Sequence, residues 1–92
     1  MLISESDETP IARQLFEETL DIHRSIKRKV EEIFARGGYK LPVITELRDG
    51  ARAVQAGLIK VERYFSSDPR YAETVRENSE YFSRINGMNP DK

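Results

Sequence analysis

Apolar residues recur at helical spacing through most of the chain, and this pattern constrains the fold more than any other feature. Between residues 10 and 36 they are three, four and seven positions apart, which places them along one side of a helix. Thr9 and Pro10 suit the cap and first position of that helix, and Gly37-Gly38 suits its end. The sequence therefore predicts a helix over about 10–36. Its apolar side consists of Ile11, Leu15, Phe16, Ile22, Ile26, Val30, Ile33 and Phe34.

Two further helices are predicted over about 43–66 and 69–86. In the second helix, apolar residues repeat every seven positions, and small residues, Gly57 among them, lie beside this stripe. The small residues indicate either close contact with a neighbouring helix or a kink between two shorter helices. The third helix opens with a cap and a proline at Asp68-Pro69, and an apolar seam follows. The residues of that seam are Tyr71, Val75, Asn78, Phe82 and Ile85.

These three helices define the predicted fold class. Short connections between helices favour antiparallel neighbours, so we expect an all-α, up-down-up three-helix bundle. The predicted helical domain covers 9–87, after a flexible acidic arm at 1–8 and before a short tail at 88–92. A chain of 92 residues lies near the lower end of the size that buries a sufficient core. Dimerisation is one way in which such a small core is completed.

Composition limits the classes of site and partner. The 15 basic residues nearly balance the 16 acidic residues, so the whole chain carries no general attraction to nucleic acid. The absence of cysteine excludes disulfides, thiolate zinc sites and cysteine nucleophiles. No apolar run approaches the ~20 residues that span a bilayer, and the acidic start is unlike a signal peptide. We expect a cytoplasmic protein that does not bind membranes.

No group of residues has the spacing of a known catalytic motif, so we expect a protein without enzyme activity, metal or cofactor. His23 is the one histidine, and it lies at the edge of the apolar side of the first helix. The residues three and four positions away from it offer no second metal ligand. The small residues that follow the histidine of phosphotransfer domains are also missing. We interpret His23 as a boundary histidine with ordinary hydrogen bonds.

A difference in helix length indicates a surface for a partner. The third helix spans about 27 Å and the first about 40 Å, so we expect one end of the first hairpin to lack a third helix. That end is apolar, and monomers rarely expose a large apolar patch, although the 87–92 tail offers an alternative cover. We expect a non-catalytic protein–protein interaction module (an adaptor, an assembly subunit or an inhibitor) that binds another protein or a second copy there. The predicted contact residues are Phe34, Tyr39, Leu41 and Ile44.

Asn78 falls in the middle of the apolar seam of the third helix, where another apolar residue is expected. A buried asparagine that lacks hydrogen-bond partners costs about 1–3 kcal/mol, so it must find them. Single asparagines at such positions often fix the register or the oligomeric state of packed helices. We predict that Asn78 is a buried polar residue that sets specificity; a half-solvated position at the rim is the alternative.

The segment 38–47, Gly-Tyr-Lys-Leu-Pro-Val-Ile-Thr-Glu-Leu, resembles the G-x-x-L-P-x-x-x-E-L pattern of GntR-type winged-helix repressors. The resemblance covers about ten residues. It implies a helix-turn-helix regulator of DNA in which the second helix is broken near Gly57. Residues 58–65 would then form the recognition helix, with Lys60 and Arg63 facing DNA. This is the alternative to the interaction module, and nucleic acid is its partner.

Overall fold

The computed structural model describes residues 4–37 and 39–88, which form three helices packed side by side. They are α1 (Ser4–Arg36), α2 (Leu41–Phe65) and α3 (Pro69–Asn86). Phe16 near the start of α1 stacks on Phe65 at the end of α2, with ring centroids 4.6 Å apart, so these two helices are antiparallel. This arrangement confirms the predicted all-α, up-down-up bundle.

The ends of the helices follow local signals in the sequence. Gly37, after α1, has a φ of 101°, the left-handed conformation that glycine adopts at low cost. Its N–H donates to the carbonyl oxygen of Ile33 at 2.8 Å. At the start of α3, the N–H of Arg70 donates to Oδ1 of Asp68 at 2.8 Å, so Asp68 is the cap that the sequence predicts.

α1 begins at Ser4, so the predicted start near residue 10 is wrong, and the backbone of 4–8 is helical where a flexible arm was predicted. Pro10 lies inside the helix, where it provides no N–H for a backbone hydrogen bond and its ring crowds the carbonyl four residues before it. The acidic residues that precede Pro10 in the sequence are of the type that the positive end of a helix dipole favours. Residues 1–3 of the predicted arm and 89–92 of the predicted tail lie outside the described residues.

α1 and α2 approach each other closely at the glycines of α2. A Cβ atom built on Gly57 would overlap Oγ1 of Thr19, and one built on Gly50 would lie 3.0 Å from Cδ1 of Ile26. The contact interpretation of these glycines is therefore confirmed, and the kink is wrong, because α2 continues without a break from Leu41 to Phe65. The buried apolar core lies mainly between these two helices. It contains Ala12, Phe16, Leu20, Ile26, Val30, Ile33, Ile44, Leu47, Ala51, Val54, Leu58 and Val61, with Tyr81 and Ile85 from α3.

α3 runs parallel to α1 and lies against both longer helices. At its start, Nη1 of Arg70 lies 3.2 Å from Oε2 of Glu17, and near its end the guanidinium of Arg84 lies 4.6 Å from the ring centroid of Phe34. α3 therefore accompanies α1 from about residue 16 to the end of the helix. The part of α1 that lacks α3 beside it is its first third, where the exposed Ile11 lies.

We predict that Gly57→Ala lowers the free energy of unfolding by about 1–2 kcal/mol. The new methyl group would overlap Thr19, and overpacking typically costs more than the ~1 kcal/mol that alanine adds in helix propensity. Urea unfolding followed by circular dichroism measures this difference.

Gly50→Ala is the matched control, since its new Cβ atom meets only the end of the flexible Ile26 side chain. We expect this variant to be neutral or stabilised by up to ~1 kcal/mol. Equal stability of the two variants would show that the contact at Thr19 does not set the distance between α1 and α2.

Candidate functional site

The structure separates the four residues of the predicted partner patch. Phe34 and Leu41 are 54% and 53% exposed. Tyr39 is half-buried, and its hydroxyl donates to Oε1 of Glu32 at 3.0 Å. Ile44 is 1% exposed and belongs to the core, so its place in the patch is wrong.

The correction has a simple geometric cause. The prediction aligned α3 with the beginning of α1, but α3 starts beside Phe16 and Glu17 and reaches Phe34. The hairpin end of the bundle is thus accompanied by α3, which buries Ile85 there. Only Phe34 and Leu41 remain of the predicted exposed surface, and the guanidinium of Arg84 lies over one face of the Phe34 ring.

An open groove of about 530 Å³ runs between α2 and α3, on the side away from α1. Two apolar side chains on its walls are exposed, Ile59 at 64% and Val75 at 39%. The partly buried rings of Tyr71 and Phe82 line it as well. We call this feature the α2/α3 groove. Its lining residues are Gln55, Leu58, Ile59, Tyr71, Val75, Asn78, Ser79, Phe82 and Ser83.

The groove exists because α3 carries two overlapping apolar seams. The buried seam, Thr74, Asn78, Tyr81 and Ile85, faces the other helices. The predicted seam runs through Tyr71, Val75, Asn78 and Phe82 and turns partly towards the groove. Together the two seams make this side of α3 wider than its contact with α1 and α2, and sequence reasoning merged them into one.

Asn78 lies at the floor of the groove and is 5% exposed, in agreement with the prediction that it is buried. Its Nδ2 donates to the carbonyl oxygen of Ala51 at 3.1 Å, which joins α3 to the backbone of α2. Its Oδ1 is also buried and has no hydrogen-bond partner among the described residues. An interaction of this kind fixes the position of α3 along α2, whereas its role in specificity stays a prediction.

A second, polar cleft of about 190 Å³ lies on the opposite side of α3, against α1. His23 is 4% exposed there, and its Nε2 lies 3.0 Å from Oε1 of Glu77. The other carboxylate oxygen of Glu77 lies 3.6 Å from Nζ of Lys27. The hydrogen bond from His23, followed by the charge of Lys27, holds the pKa of Glu77 below its usual range despite partial burial.

This cluster links α1 to α3. A histidine oriented by a carboxylate is also a component of acid–base catalysis, but here the ring is almost fully buried and contacts Tyr81, with centroids 5.5 Å apart. A reacting group in the cleft has little access to it. The described residues also contain no group of three or more acidic or histidine side chains that is suited to a metal ion.

The residues of the DNA-binding alternative lie on one uninterrupted helix. α2 passes through Gly57, so the predicted break there is wrong and residues 58–65 are not a separate recognition helix. Lys60 and Arg63 are both exposed, and the guanidinium carbon of Arg63 lies 5.1 Å from the ring centroid of Tyr64.

Known protein families, curated proteins and solved structures contain no match to this chain. Within the part of the chain that the structure describes, no helix has an apolar stretch able to cross a membrane.

We predict that the Glu77 link makes stability dependent on acid pH. The folded-state pKa of Glu77 lies below the ordinary glutamate pKa of 4.5, so the unfolded chain takes up this proton first as the pH falls. The contribution of Glu77 is therefore full at neutral pH and is lost as the pH falls from about 4.5 through the folded-state pKa. Glu77→Gln should be less stable than wild type at pH 7 in urea unfolding, and this difference should shrink at pH 3.

Glu80→Gln is the control. Glu80 is on the same helix, but it is exposed, and its one ion pair with another described residue is with Arg76, one turn away. Exposed ion pairs of this kind contribute little to stability. We therefore expect the free energy of unfolding of Glu80→Gln to differ little from that of wild type at both pH values. If Glu77→Gln is less stable than wild type by the same amount at pH 3 and at pH 7, the Glu77 carboxylate does not stabilise the fold through its charge.

Proposed function

We propose that this chain is a non-catalytic protein–protein interaction module whose α2/α3 groove binds an amphipathic helix of a partner protein. The observation that carries the proposal is the exposure of Ile59 and Val75 on the two walls of a continuous groove. Burial of a large aliphatic side chain contributes about 1.5–3 kcal/mol, so occupation of the groove is favourable.

The dimensions of the groove suit a helix. Its α3 wall runs from Tyr71 to Ser83, which corresponds to about 18 Å or three helical turns. A partner helix of about 12–14 residues covers that length, and apolar anchors at spacings of three, four and seven residues would meet Ile59, Val75 and Phe82. The result is a four-helix bundle, in which the incoming helix lies between α2 and α3.

The proposal keeps the class of function that the sequence suggests and moves the contact surface. Phe34 and Leu41 stay exposed at the hairpin end, and neither of them lines the α2/α3 groove. A protein partner, self-association and a cytoplasmic location all remain predictions.

The proposal predicts that amphipathic helical peptides bind at the groove. The probes are fluorescein-labelled 14-residue peptides with a stripe of leucines and uncharged flanks, and their binding is measured by anisotropy. Ile59→Asp and Val75→Asp should each weaken binding at least tenfold, because a carboxylate in the groove would be desolvated by the bound helix.

Ile22→Asp is the matched control, because Ile22 is an exposed isoleucine, 40% exposed, on α1. Its affinity for the peptides should equal that of wild type, and circular dichroism should show all three variants folded. If no peptide binds, or if Ile22→Asp and Ile59→Asp weaken binding equally, the α2/α3 groove is not the binding surface.

A further inference from the structure

Two arginines extend the wall of the α2/α3 groove along α2. Arg48, Arg52, Gln55 and Ile59 are spaced by four, three and four residues, so they lie along one side of the helix. Neither arginine has an ion pair or hydrogen bond with another described residue. Arg48 is half-buried, and its Nε is buried without a hydrogen-bond partner.

The three carboxylates of α3, Glu73, Glu77 and Glu80, do not line the groove, and Glu73 lines the polar cleft on the opposite side of α3. Glu77 lies in the polar cleft and contacts His23 and Lys27 of α1. Glu80 pairs with Arg76 on the surface of α3 itself. The wall that α3 gives to the groove therefore consists of apolar side chains, hydroxyls and the amide of Asn78.

α2 has three acidic residues, Glu46, Asp49 and Glu62, and by helical spacing only Glu62 lies on the same side as Gln55 and Ile59, at the other end of the groove. The charge of Glu62 contributes to the raised pKa of Tyr71, after burial of that hydroxyl, which places Glu62 near the beginning of α3. Arg48 and Arg52 lie two to four turns away from it, towards the Phe82 end of the groove. The charge along the groove is thus positive in excess, and concentrated at one end.

We infer that the helix bound in the α2/α3 groove is acidic, with carboxylates beside its apolar stripe that pair with Arg48 and Arg52. This inference rests on the proposed function and specifies the chemistry of its partner. Unpaired arginines beside an apolar groove select an oppositely charged helix, and complementary charge also fixes the direction in which that helix lies.

A second copy of this chain is a poorer occupant. A two-fold dimer through this surface would place one groove against another, and two concave surfaces do not fill each other. It would also offer Arg48 and Arg52 together only one opposite charge on this side of α2, Glu62 of the second copy, so the two arginines would not both be paired. An acidic helix of a different protein is complementary to the α2/α3 groove in both shape and charge.

The test compares peptides that share one leucine stripe and differ only in their flanking residues, glutamate, glutamine or lysine. We expect the glutamate peptide to bind wild type at least tenfold more tightly than the lysine peptide at low ionic strength. This preference should fall several-fold in 0.5 M salt, because exposed ion pairs are screened. Arg48→Gln combined with Arg52→Gln should abolish the preference, and Arg48→Lys combined with Arg52→Lys should restore most of it.

The control is Arg13→Gln combined with Arg28→Gln, which removes the same charge from exposed positions of α1. This control variant should still bind the glutamate peptide more tightly than the lysine peptide. If all three peptides bind equally and Ile59→Asp still blocks them, the groove binds helices but the inference about charge is wrong. If no peptide binds, both proposals fail. A wild-type dimer in sedimentation that Ile59→Asp dissociates would make a second copy the occupant and overturn the inference.

Discussion

The close approach of α1 and α2 at Gly57 determines how the rest of the bundle is built. Because Gly57 has no side chain, Thr19 lies directly against the backbone of α2, and Ala51 and Val54 are fully buried nearby. Two long helices at this distance bury most of their apolar surface against each other. α3 then lies along one side of the pair, where its two edges form different surfaces, a polar cleft with α1 and an apolar groove with α2.

The apolar groove follows from the position of α3 in this arrangement. α3 is held along α2 by the hydrogen bond from Asn78 to the backbone of Ala51. In that position its seam of Thr74, Tyr81 and Ile85 completes the core, and Val75 is left on the outer edge beside Ile59 of α2. Exposed apolar side chains of this kind gain free energy when a partner covers them, and the proposed binding at the groove rests on that gain.

The number and approximate ends of the helices were predictable from the sequence, because caps, prolines and apolar spacing act locally. Asp68 and Gly37 mark helix ends by their own chemistry, and both predictions hold. The position of α3 along α1 was not predictable, because it depends on where α2 returns after the first connection. α3 lies further along α1 than predicted. Ile44 is therefore part of the core, and the candidate site is the α2/α3 groove instead of the hairpin end. The exposure of Ile59 was not predictable either, because a helical wheel does not show on which side of two helices the third helix packs.

The same interactions that hold α3 on α1 also determine the charge of the groove. Glu77 turns to His23 and Lys27 in the polar cleft, so it cannot balance the arginines on the other side of α3. Exposed ion pairs contribute only about 0–1 kcal/mol each, so Arg48 and Arg52 would add little to the strength of a complex. In the proposed complex, burial of Ile59 and Val75 would supply the affinity, and the arginines would select the partner and its direction. The proposal thus assigns binding strength and partner selectivity to different residues of one groove, and a comparison of uncharged with acidic peptides measures the two contributions separately.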